Sequence, residues 1–326
     1  MTKAVLRQFA PAKINLYLHV TGQRDDGYHE LDSLVVFADI GDVVEVRAGH
    51  GLSLDISGPF GADLKADEDN LVLKAARALA EQCHIKPHAA LHLIKNLPVA
   101  SGIGGGSADA AATLKALIQY WEVHVDDEGI HAVAHDVAPD IDSARAMATL
   151  LKVWRDDLAH HKLNTIGLSL GADVPVCLES RPVFMGGIGE KLELAPHMPR
   201  VWLVLVNPGV QVSTPDIFKA RTGEFSRPDR FHEPPNDAQH LARLLSTRRN
   251  DLSAPAIQTS PAIQNVLSAL DNTDGILLSR MSGSGATCFG LYTSQMTAFA
   301  AAAKISHMHP NWWCEAAEML DSTLDF

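Results

Sequence analysis

The sequence predicts a globular protein that mixes helices and strands, either as two ordinary domains or as one large one. The chain has 326 residues, which is enough to bury a substantial hydrophobic core. Hydrophobic residues make up 46% of it and charged residues 20%, as in folded proteins rather than disordered ones. Apolar residues recur with both the two-residue period of strands and the 3.6-residue period of helices.

The N-terminal segment predicts three strands. Apolar residues alternate with others from Ile14 to Val20, which predicts a half-buried strand. Its second face is polar and includes Lys13 and Asn15. Two further strands are predicted at Leu34–Ile40 and Val43–Arg47.

A helix, a strand and a second helix are predicted next. Asp69 or Asn70 can cap a helix over Leu71–Gln82. Ala89–Ile94 is a predicted strand, and a glycine-rich loop then leads into the second helix. The apolar residues of that helix fall at i, i+3, i+4 and i+7; they are Leu114, Leu117, Ile118 and Trp121.

Two stretches in the middle of the chain have a distinctive amino-acid composition. Residues 122–165 are acidic and rich in histidine, with a predicted helix through Met147, Leu150, Leu151, Trp154 and Leu158. The continuous apolar run Val201–Val206 is typical of a central strand and predicts the start of a second domain.

The rest of the chain predicts a smaller α and β region. Ser213 looks like a helix cap with Pro215 at the first helical position, and Thr222–Pro235 is expected to be a mobile surface loop. Strands Ile276–Met281 and Thr287–Tyr292 flank a turn. The last elements expected are a helix, Gln295–Ile305, and a strand near Trp312–Ala316.

Charge and cysteine content exclude several classes of protein. The formal net charge of −12 argues against binding to nucleic acid, which needs a surplus of Lys and Arg. The four cysteines form no C-x-x-C pair, so a disulfide framework is not expected. The first ten residues have no apolar core of signal-peptide length, and no stretch reaches about 18 apolar residues. We therefore expect a cytoplasmic protein with no membrane contact.

The most informative stretch is the glycine-rich loop before the second helix. Four glycines in five positions, Gly102, Gly104, Gly105 and Gly106, let the backbone turn tightly and approach a ligand closely. The loop opens onto a helix N-terminus, whose free N–H groups and dipole favour an anion. The expected occupant is a triphosphate. The predicted ATP-binding residues are Pro98, Val99, Ala100, Ser101, Gly102, Ile103, Gly104, Gly105, Gly106, Ser107 and Ala108.

Other interpretations of this loop fit less well. A dinucleotide-binding fingerprint needs a strand running directly into the first glycine, but residues 96–101 intervene. A Walker A loop needs Lys after the last glycine, and none follows Gly106. A purely structural turn remains open. Ser107 can cap the helix or offer its hydroxyl to a phosphate or to Mg²⁺, and we interpret Asp109 as a structural residue turned away from the phosphates.

Three segments in this order, spread across almost the whole chain, resemble the GHMP kinase superfamily. They are Pro11-Ala-Lys-Ile-Asn-Leu16, the glycine-rich loop, and Ser282-Gly-Ser-Gly-Ala286. The resemblance implies an α+β protein with a ribosomal-protein-domain-2-like N-terminal domain, a ferredoxin-like C-terminal domain and a cleft between them. The corresponding domains would be residues 1–196, with an insertion around 122–165, and residues 197–326.

Further stretches are similar to one branch of this superfamily. They are Thr21-Gly-Gln-Arg-Asp-Asp-Gly-Tyr-His29, Leu170-Gly-Ala-Asp-Val-Pro175, and the run from Asn207 to Phe218. That branch phosphorylates the 2-hydroxyl of 4-diphosphocytidyl-2-C-methyl-D-erythritol in non-mevalonate isoprenoid biosynthesis. The resemblance implies this acceptor and ATP as co-substrate, and the chemistry of ATP implies Mg²⁺. We expect the chain to act as a monomer or homodimer. No acidic cluster identifies a dedicated metal site.

The resemblance also implies the catalytic pair. Asp173 corresponds to the family's catalytic acid, in a compact turn ending at Pro175, although a helix-capping aspartate is an alternative. Lys13 corresponds to the lysine that works with it. The lysine would keep the carboxylate ionised and stabilise the developing alkoxide.

Residues for the cytidyl substrate follow from the same resemblance. Tyr28 and Phe218 can stack on a pyrimidine and His29 can bond to its edge. Backbone N–H groups of the 282–285 turn would approach the phosphates, with a plain β-hairpin turn as the alternative. The full predicted substrate-binding set is Asn15, Tyr28, His29, Thr214, Phe218, Ser282, Gly283, Ser284 and Gly285.

One segment departs from the family pattern. The connection between Trp121 and Leu168 is longer than usual by roughly 30 residues and is rich in histidine. His131 and His135 are four apart, a spacing that suits a metal on a helix, but no third ligand is evident and we assign them no chemistry. Two rival functions remain: a GHMP kinase for a homoserine- or mevalonate-type alcohol, and a non-catalytic protein that retains the fold. A nicotinamide-dependent oxidoreductase ranks last.

Overall fold

A computed structural model describes residues 5–125, 130–132 and 157–321, and this part of the chain divides into two compact units. The first unit takes the described residues of 1–10, 41–99 and 106–179. The second takes residues 11–40 and 100–105 and the described residues of 180–326. Strands β1 and β2 and the glycine-rich loop each supply residues to both units.

The strands are β1 (Leu6–Gln23), β2 (His29–Arg47), β3 (Leu52–Ser57), β4 (Ala89–Ile94), β5 (His124–Val125), β6 (Ile130–His131), β7 (Val183–Gly187), β8 (Lys191–Leu194), β9 (Trp202–Asn207), β10 (Leu278–Met281), β11 (Cys288–Tyr292) and β12 (Trp313–Leu320). The α-helices are α1 (Leu71–Gln82), α2 (Gly105–Tyr120), α3 (Asp157–Leu170), α4 (Val174–Glu179), α5 (Thr214–Ala220), α6 (Ala238–Ser246), α7 (Ser253–Thr259), α8 (Ala262–Asp271) and α9 (Gln295–Met308). A short 3-10 helix spans Gly61–Asp63.

In the first unit, β4 lies between β2 and β3. The end of β2 pairs antiparallel with β4, with Val43 opposite Ile94, and β3 runs parallel to β4. Burial alternates along β4, so one face carries the apolar side chains. The strand predicted at Ala89–Ile94 is confirmed.

Helices α1 and α2 complete the core of the first unit. The predicted bounds of α1 are confirmed, and Asn70 caps it by accepting a hydrogen bond from the Val72 amide at 3.0 Å. Helix α2 is buried on every side from Ala108 to Tyr120. Because it is enclosed all round, it can be apolar in nearly every direction.

In the second unit, β9 is the central strand. It lies between β11 and β12 and is antiparallel to both, with β10 outside β11. Strand β12 also pairs with β2, which pairs in turn with β7, and β7 pairs with β8. The apolar run predicted as a central strand is therefore confirmed. Helices α7, α8 and α9 supply buried side chains to the core under this sheet, including Ala256, Ile263, Val266, Leu270 and Ile305.

The prediction that the first strand is half-buried was wrong. Strand β1 is buried on both faces from Ala10 to Val20. A distant segment, residues 226–231, contacts its polar side: the Ser226 amide donates to the Val20 carbonyl at 2.9 Å, and His19 Nδ1 lies 3.2 Å from the Arg227 carbonyl.

The two strands predicted at Leu34–Ile40 and Val43–Arg47 are one strand, β2. Pro215 is the second helical residue of α5, not the first, and the Ser213 side chain makes no capping hydrogen bond.

The remaining differences concern ends of elements. Helix α9 extends to Met308, and the final strand continues to Leu320. Strands β10 and β11 start later than predicted, at Leu278 and Cys288. The predicted helix through Met147, Leu150, Leu151, Trp154 and Leu158 lies outside the described residues up to Trp154, and Leu158 belongs to α3.

Candidate active site

The glycine-rich loop packs against the start of β1. The Lys13 amide donates a hydrogen bond to the Ile103 carbonyl at 2.9 Å. A Cβ on Gly104 would lie 3.1 Å from both Cβ and Cε of Lys13, so a side chain there would press on the lysine. Lys13 is 3% exposed. The structure thus brings the predicted catalytic lysine and the predicted phosphate loop together.

The same loop also packs against the turn at residues 282–285. Gly102 has φ of +77°, and a Cβ there would lie 2.6 Å from the Gly285 carbonyl oxygen. Only glycine fits this backbone contact. The Ser282 hydroxyl donates to the Gly102 carbonyl at 3.2 Å, and the Thr287 amide donates to the Ser101 carbonyl at 3.1 Å.

The loop ends where α2 begins, at Gly105. Gly105, Gly106, Ser107 and Ala108 therefore form the first helical turn, whose amides have no partner within the helix. Ser107 is the third helical residue, so its predicted alternative as the N-cap is wrong. Its other alternative, a hydroxyl for a phosphate or Mg²⁺, stays a prediction.

Asn15 has an unsatisfied acceptor. Its backbone amide donates to the Ser282 hydroxyl at 3.1 Å, and its Nδ2 donates to the Ser33 hydroxyl at 2.8 Å. Its Oδ1 is buried without a hydrogen-bond partner among the described residues. Because buried polar atoms normally find partners, this oxygen is suited to accept a hydrogen bond from a ligand hydroxyl.

Thr214 and the 282–285 turn are also connected. The hydroxyls of Thr214 and Ser284 are 2.7 Å apart. Gly283 approaches the loop so closely that a Cβ on it would lie 2.7 Å from the Gly102 carbonyl oxygen. Several predicted ligand-binding positions therefore contact one another within the second unit.

His29 and Phe218 form an aromatic pair. Their ring centroids are 5.1 Å apart and their planes are inclined by 26°. Burial lowers the pKa of His29, and the guanidinium of Arg221 acts in the same direction. Tyr28, the third predicted member, is 61% exposed and is not part of this stack.

Asp173 belongs to the first unit and immediately precedes α4. Its carbonyl accepts a hydrogen bond from the Cys177 amide at 3.2 Å. Pro175 is the second residue of α4 and does not end a turn as predicted. Asp173 thus occupies the position of a helix cap, and its catalytic pairing with Lys13 stays a prediction.

Asp109 has a buried structural partner, in line with the prediction that it is a structural residue. Its carboxylate accepts a hydrogen bond from Lys95 Nζ at 2.7 Å. Sequence analysis missed Lys95 itself and its second partner, Asp42. Lys95 lies three residues before Pro98, so its position next to the glycine-rich loop is visible in the sequence. Nothing in the sequence indicates that Asp42, 53 positions earlier, contacts it.

No group of three or more His, Cys, Asp or Glu side chains that could hold a metal occurs among the described residues. His131 lies opposite His124 in the β5–β6 pair, while His135 lies outside the described residues. In the part of the chain that was described, no helix is long and apolar enough to span a bilayer.

Comparison with known proteins places this geometry in a family. Residues 70–151 match the GHMP kinases N terminal domain, and residues 231–311 match the GHMP kinases C terminal domain. The 4-diphosphocytidyl-2-C-methyl-D-erythritol kinase of Paramagnetospirillum magneticum is 50% identical over 311 residues, covering 95% of this chain and 97% of the relative. That of Rhodospirillum rubrum is 46% identical over 314 residues, covering 96% of this chain and 92% of the relative.

Solved structures agree with this grouping. A crystal structure of 4-(cytidine 5'-diphospho)-2C-methyl-D-erythritol kinase is 28% identical with a TM-score of 0.67, covering 96% of this chain and 98% of that one. A homoserine kinase of Cytophaga hutchinsonii, 18% identical with a TM-score of 0.64 and covering 98% of this chain and 96% of that one, shares the fold. The chain is an α+β protein and belongs to the 4-diphosphocytidyl-2-C-methyl-D-erythritol kinase family of the GHMP kinases.

Proposed function

We propose that this chain transfers the γ-phosphoryl group of ATP to the 2-hydroxyl of 4-diphosphocytidyl-2-C-methyl-D-erythritol. The products are the 2-phosphate and ADP, in non-mevalonate isoprenoid precursor biosynthesis. The names of the relatives support this acceptor. The single observation that carries the proposal is that the predicted catalytic lysine lies against the predicted phosphate loop. The Lys13 amide donates to the Ile103 carbonyl, and Gly104 lies next to the Lys13 side chain.

The proposed mechanism depends on positioning and charge. The bare backbone of Gly102 and Gly104 and the first amides of α2 hold the phosphates of ATP. Asp173 accepts the proton of the acceptor hydroxyl, and Lys13 stabilises the developing alkoxide. The buried Oδ1 of Asn15 accepts a hydrogen bond from a hydroxyl of the acceptor.

We propose that the cytidyl group binds at the aromatic pair. Phe218 and the more exposed Tyr28 provide stacking surfaces, and His29 bonds to the base edge. A neutral imidazole has one donor and one acceptor nitrogen, and the lowered pKa of His29 favours that form. Thr214 and the 282–285 turn would contact the phosphate-bearing part of the substrate.

We propose that Mg²⁺ binds together with ATP. Since the described residues offer no cluster of three metal-binding side chains, they fit a metal held mainly by phosphate oxygens and water, with Ser107 as the protein ligand. When bound, the metal neutralises charge on the β- and γ-phosphates.

The remaining proposals concern organisation. The two family matches, 70–151 and 231–311, lie on either side of the proposed domain boundary between residues 196 and 197. We propose a cytoplasmic monomer or homodimer that does not bind nucleic acid, consistent with the net charge of −12.

An acceptor panel tests the proposed function. ATP consumption is measured with Mg²⁺ and, separately, the cytidyl methylerythritol substrate, homoserine and mevalonate. Turnover with the cytidyl substrate and background rates with the other two are expected. Turnover with homoserine or mevalonate would indicate a kinase for another small alcohol, and no turnover with any of the three would indicate a non-catalytic protein.

A further inference from the structure

A buried ion cluster joins the two ends of the glycine-rich loop. Lys95 Nζ lies 2.5 Å from Asp42 Oδ2 and 2.7 Å from Asp109 Oδ2. The three side chains are at most 3% exposed. Burying charges is unfavourable unless they are paired and hydrogen-bonded, so the arrangement holds its three members in one geometry.

The first end of the loop is fixed by Asp42. Its Oδ1 accepts hydrogen bonds from the amides of Asn96 at 2.6 Å and Leu97 at 2.9 Å. The Asn96 side chain donates to the Gly41 carbonyl at 3.0 Å. The backbone is therefore held directly before Pro98, where the loop begins.

The second end is fixed by Asp109, the fifth residue of α2. Lys95 Nζ contacts both Asp109 and Asp42. It therefore links this turn of α2 to the carboxylate that accepts the amides of residues 96 and 97. Between these ends, Ala100, Gly102 and Gly104 all have positive φ, and the loop is hydrogen-bonded to β1 and to residues 282–287. Its shape therefore depends both on these contacts and on where its ends are held.

From these contacts we infer that Asp42, Lys95 and Asp109 form a positioning cluster that aligns the glycine-rich loop for the triphosphate of ATP. This inference rests on the proposed function, in which that loop binds ATP. The cluster is not itself a phosphate ligand, because the ammonium group of Lys95 is already hydrogen-bonded to both Asp42 and Asp109.

The electrostatics of the cluster guide the choice of variants. Burial raises the pKa of Asp109 to about 8; Lys95 opposes this rise and Asp42 adds to it. Removing the Asp109 carboxyl leaves the Lys95–Asp42 pair intact and neutral, so no buried charge is left alone. Asp109→Asn keeps an oxygen that can accept the Lys95 hydrogen bond, whereas Asp109→Ala disconnects α2 from Lys95.

Thr113→Val is a matched control. Thr113 lies one turn further along α2, is fully buried, and donates from its hydroxyl to the Asp109 carbonyl at 2.7 Å. The substitution removes a buried hydrogen bond to the backbone of Asp109 but leaves the side-chain contacts of the cluster unchanged. The KM values of Thr113→Val therefore show the effect of destabilising α2 in general.

The experiment measures KM for ATP, KM for the cytidyl acceptor, and the Kd of ATP without acceptor. Asp109→Ala is expected to raise KM and Kd for ATP about tenfold, because small misplacements at a reacting centre have large effects, and to leave the acceptor KM within about twofold. Asp109→Asn should restore most of the ATP affinity, and Thr113→Val should change neither KM.

Two results would overturn the inference. One is an unchanged ATP affinity in folded Asp109→Ala, and the other is an equal loss in Thr113→Val. If the alanine variant does not fold, Asp109→Ser, whose hydroxyl is too short to reach Lys95, takes its place under the same criteria. Absence of ATP binding by the unaltered protein would instead overturn the proposed function, and this inference with it.

Discussion

The imidazole of His29 stacks on the ring of Phe218, with centroids 5.1 Å apart. His29 starts β2 and Phe218 lies on α5, so two elements distant in sequence bring their rings together. Arg221 follows α5 directly and lowers the pKa of His29 together with burial. The lowered pKa favours the neutral imidazole in this pair, which is the form that the proposed cytidyl site requires.

Phe218→Ala is expected to raise the acceptor KM about tenfold or more, because stacking on a base contributes about 1–3 kcal/mol. The KM for ATP should stay within about twofold. Phe299→Ala is the control, since Phe299 is 50% exposed on α9 and packs against Trp202. Steady-state kinetics with each substrate varied in turn measures both values. Equal effects of the two substitutions on the acceptor KM would contradict the assignment of Phe218.

Asp32 is a buried carboxylate that organises the segment covering β1. It accepts hydrogen bonds from the Tyr17 hydroxyl at 3.0 Å, the Asp229 amide at 2.9 Å and Arg230 Nε at 2.7 Å. Arg230 also pairs with Glu193, whose side chain is 55% exposed compared with 1% for Asp32. One arginine thus has a buried partner and an exposed one.

Asp32→Ala is expected to lower the free energy of unfolding by about 3 kcal/mol, because it removes a buried carboxylate together with the hydrogen bonds that it accepts from Tyr17, Asp229 and Arg230. Glu193→Ala should cost less than about 1 kcal/mol, since exposed ion pairs contribute little. Urea unfolding of both variants measures the difference. Similar losses of unfolding free energy in the two variants would contradict the prediction that the buried carboxylate of Asp32 contributes more than the exposed one of Glu193.

His19 predicts a pH dependence of stability. Its Nδ1 is 3.2 Å from the Arg227 carbonyl, so it donates, and its Nε2 accepts from the Arg249 amide at 3.3 Å. Burial lowers the pKa of His19, while Asp251 and Asp32 oppose this and Arg249 adds to it. A proton on Nε2 would abolish the acceptor, so the neutral ring is the form that fits.

Because the folded-state pKa of His19 is lowered, the unfolded chain binds the proton more readily. Its contribution to stability is therefore fully present above pH about 6.5 and is lost as the pH falls through the lower folded-state value. The difference in unfolding free energy between the unaltered protein and His19→Gln should shrink between about pH 7 and 5. Urea unfolding at several pH values tests this, and a constant difference would contradict it.

Local features were predictable from sequence. The bounds of α1 follow from an apolar stripe and the cap at Asn70, and β4 follows from its residue types. The position of the glycine-rich loop is local in the same sense, because the glycines themselves permit its backbone. All three depend on residues within one segment.

Contacts between distant segments were not predictable. The polar face of β1 looked exposed because the segment that covers it begins about 200 residues later, as the pairing of Ser226 with Val20 shows. Asp42 holds amides 54 and 55 residues away, and neither partner has a distinctive sequence pattern. The sequence indicates which side chains are available for such contacts, whereas the fold decides which of them meet.

Substitution of Asp173 by asparagine tests the proposed proton transfer while keeping a residue that suits the start of α4. Asp173 directly precedes α4, where asparagine caps a helix about as well as aspartate. Asp173→Asn therefore leaves a residue suited to the cap position but removes the charge that would accept the proton. Turnover is expected to fall at least about a hundredfold, with the Kd of ATP within about twofold.

Lys13→Met and the double variant extend this test. If Lys13 and Asp173 act as a unit in proton transfer, the double variant should lose no more turnover than the worse single variant, because residues that act together are not additive. Single-turnover rates measure the chemical step apart from product release. Near-normal turnover in Asp173→Asn would remove that residue from the mechanism, and multiplied losses in the double variant would show that the two residues act independently.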